Sequence, residues 1–241
     1  MGQPLPSDGL TTDDLADLED LDASSRSISD LTGLETVVNL TSLNLYANQI
    51  SDLSPLSGLV DLDTLNLGEN QISDLNPLSE LTGLTTLFLN VNQITDIGPL
   101  NGLTALTFID IGGNLIGDLG PLSGLTAMNT LSAGGNLITD VSALGDLSAL
   151  QFLHLQSNQI SDLGPLSGLN ALTLLNVGSN QLSTLSPISV LTGLTHLWID
   201  SNQITDLSPL SGFTALDVLV ASSNQITGTN PLEDLTTLTT L

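Results

Sequence analysis

The chain has 241 residues, with 26 Asp and Glu against a single Lys or Arg, and a formal net charge of −25. Such a surface repels nucleic acid and anionic lipid, so neither is an expected partner; it favours cationic partners, divalent cations or plain solubility. Cys is absent and no apolar run reaches membrane-spanning length, which excludes disulfides, a thiolate metal site and membrane insertion through an apolar helix.

The opening "MGQPLPSDGL" lacks the pattern of a signal peptide. Residues 1–17 read as an N-terminal capping stretch, with Thr11 and Asp14 spaced as in a capping box. Residues 18–241 form one repetitive unit. The Asn of an "NQI" signature recurs at Asn48, Asn70, Asn92, Asn114, Asn136, Asn158, Asn180, Asn202 and Asn224, every gap being 22 residues. One step earlier the same template holds Arg26 instead. About ten copies follow one another, the last stopping in mid-repeat at Leu241. An uninterrupted period of this kind means a solenoid, here one elongated domain. A solenoid core should not end open to water, so the chain is expected to be part of a longer protein.

Within one copy, Leu65 and Leu67 alternate with Thr64, Asn66 and Gly68. That period of two predicts a short strand with one buried face. Ile72, Leu75, Leu78, Leu81 and Leu84 follow at three-residue steps, which suits a 3₁₀ turn better than an α-helix. Pro recurs in this stretch, as at Pro55, Pro77 and Pro99, after Ser54, Asn76 and Gly98. Those three residue types are expected as N-caps, with Pro at the first helical position. Strands separated by one full turn must be parallel, stacked at about 4.8 Å. The expected fold is therefore an α/β repeat solenoid, curved, with a parallel β-sheet on the concave face and short 3₁₀ helices on the convex face. Each Asn is expected to bond backbone groups of the turns above and below it, because an amide both donates and accepts.

The template L-x-x-L-x-L-x-x-N-x-I-x-D-L-x-P-L-x-x-L-x-x resembles the bacterial leucine-rich repeat, in particular the 22-residue kind of the internalin family. "NQISDLSPLSGL" and "NQITDIGPLNGL" carry the likeness, which covers nearly the whole chain. The resemblance implies a secreted or cell-surface bacterial module that binds a protein through its concave face. An evident helical cap domain before the repeats is lacking.

Catalysis has little material. His154 and His196 fall two repeats apart, about 10 Å or more, too far for a relay or a shared metal. With no Lys or Cys as nucleophile and no phosphate-loop spacing, neither an enzyme nor a cofactor is expected. Asp30, Asp52, Asp74, Asp96, Asp118, Asp140, Asp162 and Asp206 form a column that could hold Ca²⁺. The preferred reading is structural: each Asp accepts backbone N–H bonds at its turn. A mixed Ser and Thr column, interrupted at Gly117, argues little for ice binding.

The candidate site lies on the concave columns. Of the six Phe, Tyr and Trp residues, Tyr46, Phe88, Phe108, Phe152 and Trp198 project there, and only Phe213 takes a core position. His154, His196, Asp110 and Asp200 share that face. A leucine core does not need these rings, so they mark a recognition surface. The glycine pairs Gly112–Gly113 and Gly134–Gly135, with Ser132, are expected to leave a shallow depression between rings. The expected function is non-enzymatic binding by a monomer. A protein partner leads, with carbohydrate or a ligand-free spacer as alternatives.

Overall fold

The computed structural model describes residues 17–239. Ten three-residue strands run in chain order: β1 Asp20–Asp22, β2 Ser42–Asn44, β3 Thr64–Asn66, β4 Thr86–Phe88, β5 Phe108–Asp110, β6 Thr130–Ser132, β7 Phe152–His154, β8 Leu174–Asn176, β9 His196–Trp198 and β10 Val218–Val220. They form one parallel sheet whose spatial order is the sequence order. The register is one repeat per step, as in Ser42↔Thr64, Leu43↔Leu65 and Asn44↔Asn66. The coil carrying a strand takes that strand's number below. Of the expected capping stretch, residues 1–16 lie outside the described residues.

Each strand is followed by a short 3₁₀ helix on the opposite side, for example Ser54–Leu56 and Asn76–Leu78. The leucine columns fill the space between. In coil 3, Leu62, Leu65, Leu67, Ile72, Leu75, Leu78 and Leu81 are all at most 1% exposed. Burying each such side chain contributes about 1.5–3 kcal/mol before the entropy of ordering the chain is subtracted. Phe213 replaces Leu in one of these columns and is fully buried.

The 3₁₀ helices start one residue earlier than expected. Ser54, Asn76 and Gly98 are the first helical residues, and Pro follows at the second position. The capping acceptor is the Asp column instead. Asp52 Oδ1 takes the Ser54 N–H at 2.9 Å and Asp96 Oδ1 takes the Gly98 N–H at 2.7 Å. Pro has no N–H to offer, so the one amide needing a partner at this bend belongs to the residue before it.

The ladder asparagines are also corrected in one respect. Asn136 Nδ2 donates to Ile111 O at 3.0 Å in the preceding coil, and to Ala133 O and Gly134 O in its own. Its Oδ1 accepts from Ile116 N at 3.0 Å, again in the preceding coil. The amide reaches its own coil and the one before, not the one after. Asn158 repeats the geometry one coil on, with Ala133 O and Ile138 N. At the start of the stack Asn48 accepts from Arg26 N and Ile28 N, so coil 1 is held although Arg26 replaces its own Asn.

Candidate binding face

In strands β2 to β10 the middle leucine or isoleucine is buried, whereas Leu21 of β1 is only partly covered; the two flanking residues point outward and are partly exposed in most coils. The candidate residues sit accordingly. Tyr46, Phe88, Phe108, Asp110, His154, His196, Trp198 and Asp200 are half-covered on the sheet side, and Phe152 is 37% exposed.

The structure brings some of them together. Phe88 and Phe108, on adjacent strands, meet with ring centroids 4.8 Å apart and planes tilted by 44°. His196 and Trp198 lie near-parallel at 5.7 Å, beside Asp200 in sequence. Thr195 Oγ1 is 2.9 Å from His196 Nδ1 and helps orient that ring. Tyr46 is apart from these clusters, its hydroxyl donating to Glu69, whose carboxylate raises the phenol pKa. Phe152 stands between Thr130 and Leu174 without a ring partner on either neighbouring strand.

Asp110 is tied down by its own coil: it accepts the Gly112 N–H at 2.9 Å. Burial pushes His154 below its ordinary value, and the Asp110 carboxylate opposes that shift only in part. Burial thus favours the neutral form of His154.

The expected depression is narrower than the two glycine pairs imply. The Gln156 side chain leans back over Gly134, so that a Cβ there would lie 2.5 Å from Gln156 Cδ. Asn90 and Asp200 lean over Gly68 and Gly178 in the same way, each with Oδ1 2.5 Å from where a Cβ would be. These glycines make room for a polar side chain of the next coil. Gly112 is covered less closely, with Asp110 Oδ1 3.1 Å from where a Cβ would be. Sequence columns place side chains on a face but do not show which way they lean along the stack, so Gln156 was missed. Its Oε1 is a buried acceptor with no donor, the only such side-chain atom among the described residues.

The Asp column shows what its members do. Asp30, Asp74, Asp118, Asp140, Asp162 and Asp206 each accept the N–H two residues on, at 2.7–2.9 Å, as do Asp52 and Asp96. Where Thr184 interrupts the column, its hydroxyl accepts the Ser186 N–H at 3.1 Å in the same role. A hydroxyl that substitutes for the carboxylate shows that an uncharged acceptor serves the same role, while Gly228, in coil 10, has no side-chain acceptor to offer. Hydrogen bonds from Thr32, Ser54, Ser142 and Ser208 hold the carboxyls of Asp30, Asp52, Asp140 and Asp206 below the usual value. No group of three or more His, Asp or Glu is placed to hold a metal ion among the described residues. Millimolar Ca²⁺ is therefore expected to change the melting temperature no more than a matched rise in ionic strength. A Ca²⁺-specific increase, abolished by Asp96→Asn with Asp118→Asn, would overturn the structural role.

A family model for leucine-rich repeats, in two copies, matches residues 38–80, 82–125, 126–168, 148–190 and 170–212. Among solved structures, internalin C2 of Listeria monocytogenes is 32% identical over 89% of this chain and 85% of its own, with a TM-score of 0.72. An internalin, InlF, of the same species is 31% identical over 97% of this chain and 89% of its own, with a TM-score of 0.50. The functional domain of InlJ, also from that species, is 25% identical and has a TM-score of 0.71; the match covers 94% of this chain and 58% of that one. A comparison with curated protein sequences finds no match. No helix among the described residues is long and apolar enough to cross a membrane.

Proposed function

Because this chain belongs to the leucine-rich-repeat family, as an internalin-like bacterial member whose kind acts in protein–protein interaction, we propose that it is a non-enzymatic recognition module of a secreted or cell-surface protein that binds a protein ligand through its concave face. One observation carries the reading: five of the six aromatic rings stand on the sheet side, while Phe213 alone enters a core otherwise built from aliphatic side chains. Partly covered rings on a rigid sheet lose little freedom when a partner covers them, which makes them good anchors.

The contact centres on coils 4 to 9. Phe88 and Phe108 form one anchor, Trp198 with His196 and Asp200 a second, and Phe152 stands between them. Gln156 lies in the same span. Its buried Oε1 has no hydrogen bond to lose, so rotating the side chain outward toward a ligand donor leaves that oxygen better satisfied and uncovers Gly134.

The test is a binding screen of the purified chain against extracellular proteins and, in parallel, a glycan array. A protein bound by the wild type should be bound about thirty-fold more weakly by Trp198→Ala or Phe108→Ala, since anchor rings commonly contribute about 2 kcal/mol or more. Both variants should melt close to the wild type, because their side chains point away from the leucine core. Undiminished binding by both variants, or a footprint on the Pro-bearing side, would refute the site. A ligand set made only of glycans would refute the protein partner.

A further inference from the structure

A repeat protein is its own control: a column shared by most coils shows what the fold needs, and a coordinated departure shows what it does not. Immediately after the ladder Asn, an exposed Gln occupies seven of nine coils, from Gln49 to Gln225. The two adjacent exceptions are Leu115 and Leu137, which are 51% and 48% exposed. In the same two coils the left-handed residue before the Asn is Gly113 or Gly135, with φ of 66° and 67°. The backbone does not demand glycine there, because Ala, Glu, Val and Ser hold φ values of 53–56° at this position in other coils. The preceding coil has Val91 at that position, 53% exposed, with Cγ2 3.3 Å from where a Gly113 Cβ would stand.

The outcome is an aliphatic strip across coils 4 to 6, on the turns where the strands end. Val91, Leu115 and Leu137 stand out from bare backbone at residues 113 and 135. A single exposed leucine is ordinary, but Leu115 and Leu137 in register, replacing a polar column and with Val91 one coil before them in the column of the glycines, form a patch that solubility disfavours. We infer that this strip is a second interaction surface, and that its occupant is a polypeptide segment with apolar side chains flanked by Lys or Arg. Charge selects the occupant. Leu115 and Leu137 are each followed three residues later by an exposed carboxylate, Asp118 and Asp140. The sequence has no Lys, and its one Arg, Arg26, lies coils away. A second copy of this chain, also at −25, would meet the strip with like charge. The inference rests on the concave-face reading only for the class of partner: coils 4 and 5 also carry Phe88, Phe108 and Asp110, so one ligand could cover both.

The fold offers a conservative test, since Leu115→Gln with Leu137→Gln restores the residue of the other coils. The probes are two peptides of equal charge, Lys-Lys-Leu-Val-Leu-Lys-Lys and Lys-Lys-Ser-Thr-Ser-Lys-Lys, titrated at physiological ionic strength with the backbone amides followed by NMR. The apolar peptide is expected to bind the wild type about tenfold tighter than its Ser/Thr counterpart, the worth of roughly two methylenes removed from water. Its footprint should fall on residues 91 and 113–118 and 135–140. The double Gln variant should lose the preference. A control changing other exposed valines, Val38→Thr with Val60→Thr, should keep it. Equal binding of the two peptides, or a preference that survives in the double Gln variant, would overturn the strip. A footprint confined to strands β5 to β9 would also overturn it, while leaving the concave-face reading intact.

Discussion

Asn136→Asp is expected to destabilise the chain by about 3–5 kcal/mol at pH 7, more than Asn136→Ala, at about 1–3 kcal/mol. Aspartate differs from asparagine only in the group that replaces Nδ2. Asn136 is 6% exposed, and its Nδ2 faces three carbonyl oxygens within 3.4 Å. Alanine removes the amide but leaves all three carbonyls with other donors: Asn114 still serves Ile111 O, Asn158 still serves Ala133 O, and the Gly113 N–H still serves Gly134 O. The group left bare is the Ile116 N–H, whose acceptor was Asn136 Oδ1. Aspartate keeps that acceptor but turns a charged oxygen toward carbonyls, with no cation nearby. Burial raises the pKa of the introduced carboxyl above its unfolded value, so the aspartate variant should regain ground on the wild type as pH falls and a proton restores the donor. Urea unfolding of the three proteins at two pH values measures this. Equal midpoints for the aspartate and alanine variants at pH 7 would refute the donor role.

Phe213→Ala is expected to cost a similar amount, about 3–5 kcal/mol, through the cavity left in the core of coil 9. Phe213 is fully buried, in a column where Leu191 and Leu235 flank it. Phe213→Leu restores the column residue and should cost less than about 1.5 kcal/mol, as the neighbours close over a smaller deficit. Since each coil touches only its neighbours, the alanine defect should lower amide protection most in coils 8 to 10 and least in coils 2 to 4. Uniform loss of protection along the stack would contradict the local character of the core.

Much of this architecture could be read from the spacing alone. A fixed 22-residue period assigns every leucine a column, and a column has one environment, so the ten strands and their outward residues follow from the sequence. What the spacing does not contain is direction along the stack. It shows that Asn136 turns inward, but not that the amide serves the coil before it. It places Gln156 on the sheet side, but not over Gly134. It also put Pro at the first helical position, when the residue before Pro holds it and Asp supplies the cap. The Leu115 and Leu137 strip was legible in principle, as two breaks in the Gln column. Only their exposure, and the fact that the preceding left-handed turn does not require the glycine it carries in those two coils, separate those breaks from neutral drift.

The backward reach of the ladder amides gives the stack a polarity with a bearing on how it is made. The Ile116 N–H belongs to coil 5, yet its acceptor, Asn136 Oδ1, arrives with coil 6; the Ile138 N–H waits for Asn158 of coil 7. The ribosome delivers coils in that same order, so each newly emerged turn brings the group that seals the one before it. Growth from the N-terminus leaves a single unsealed turn at the leading edge, however long the array becomes.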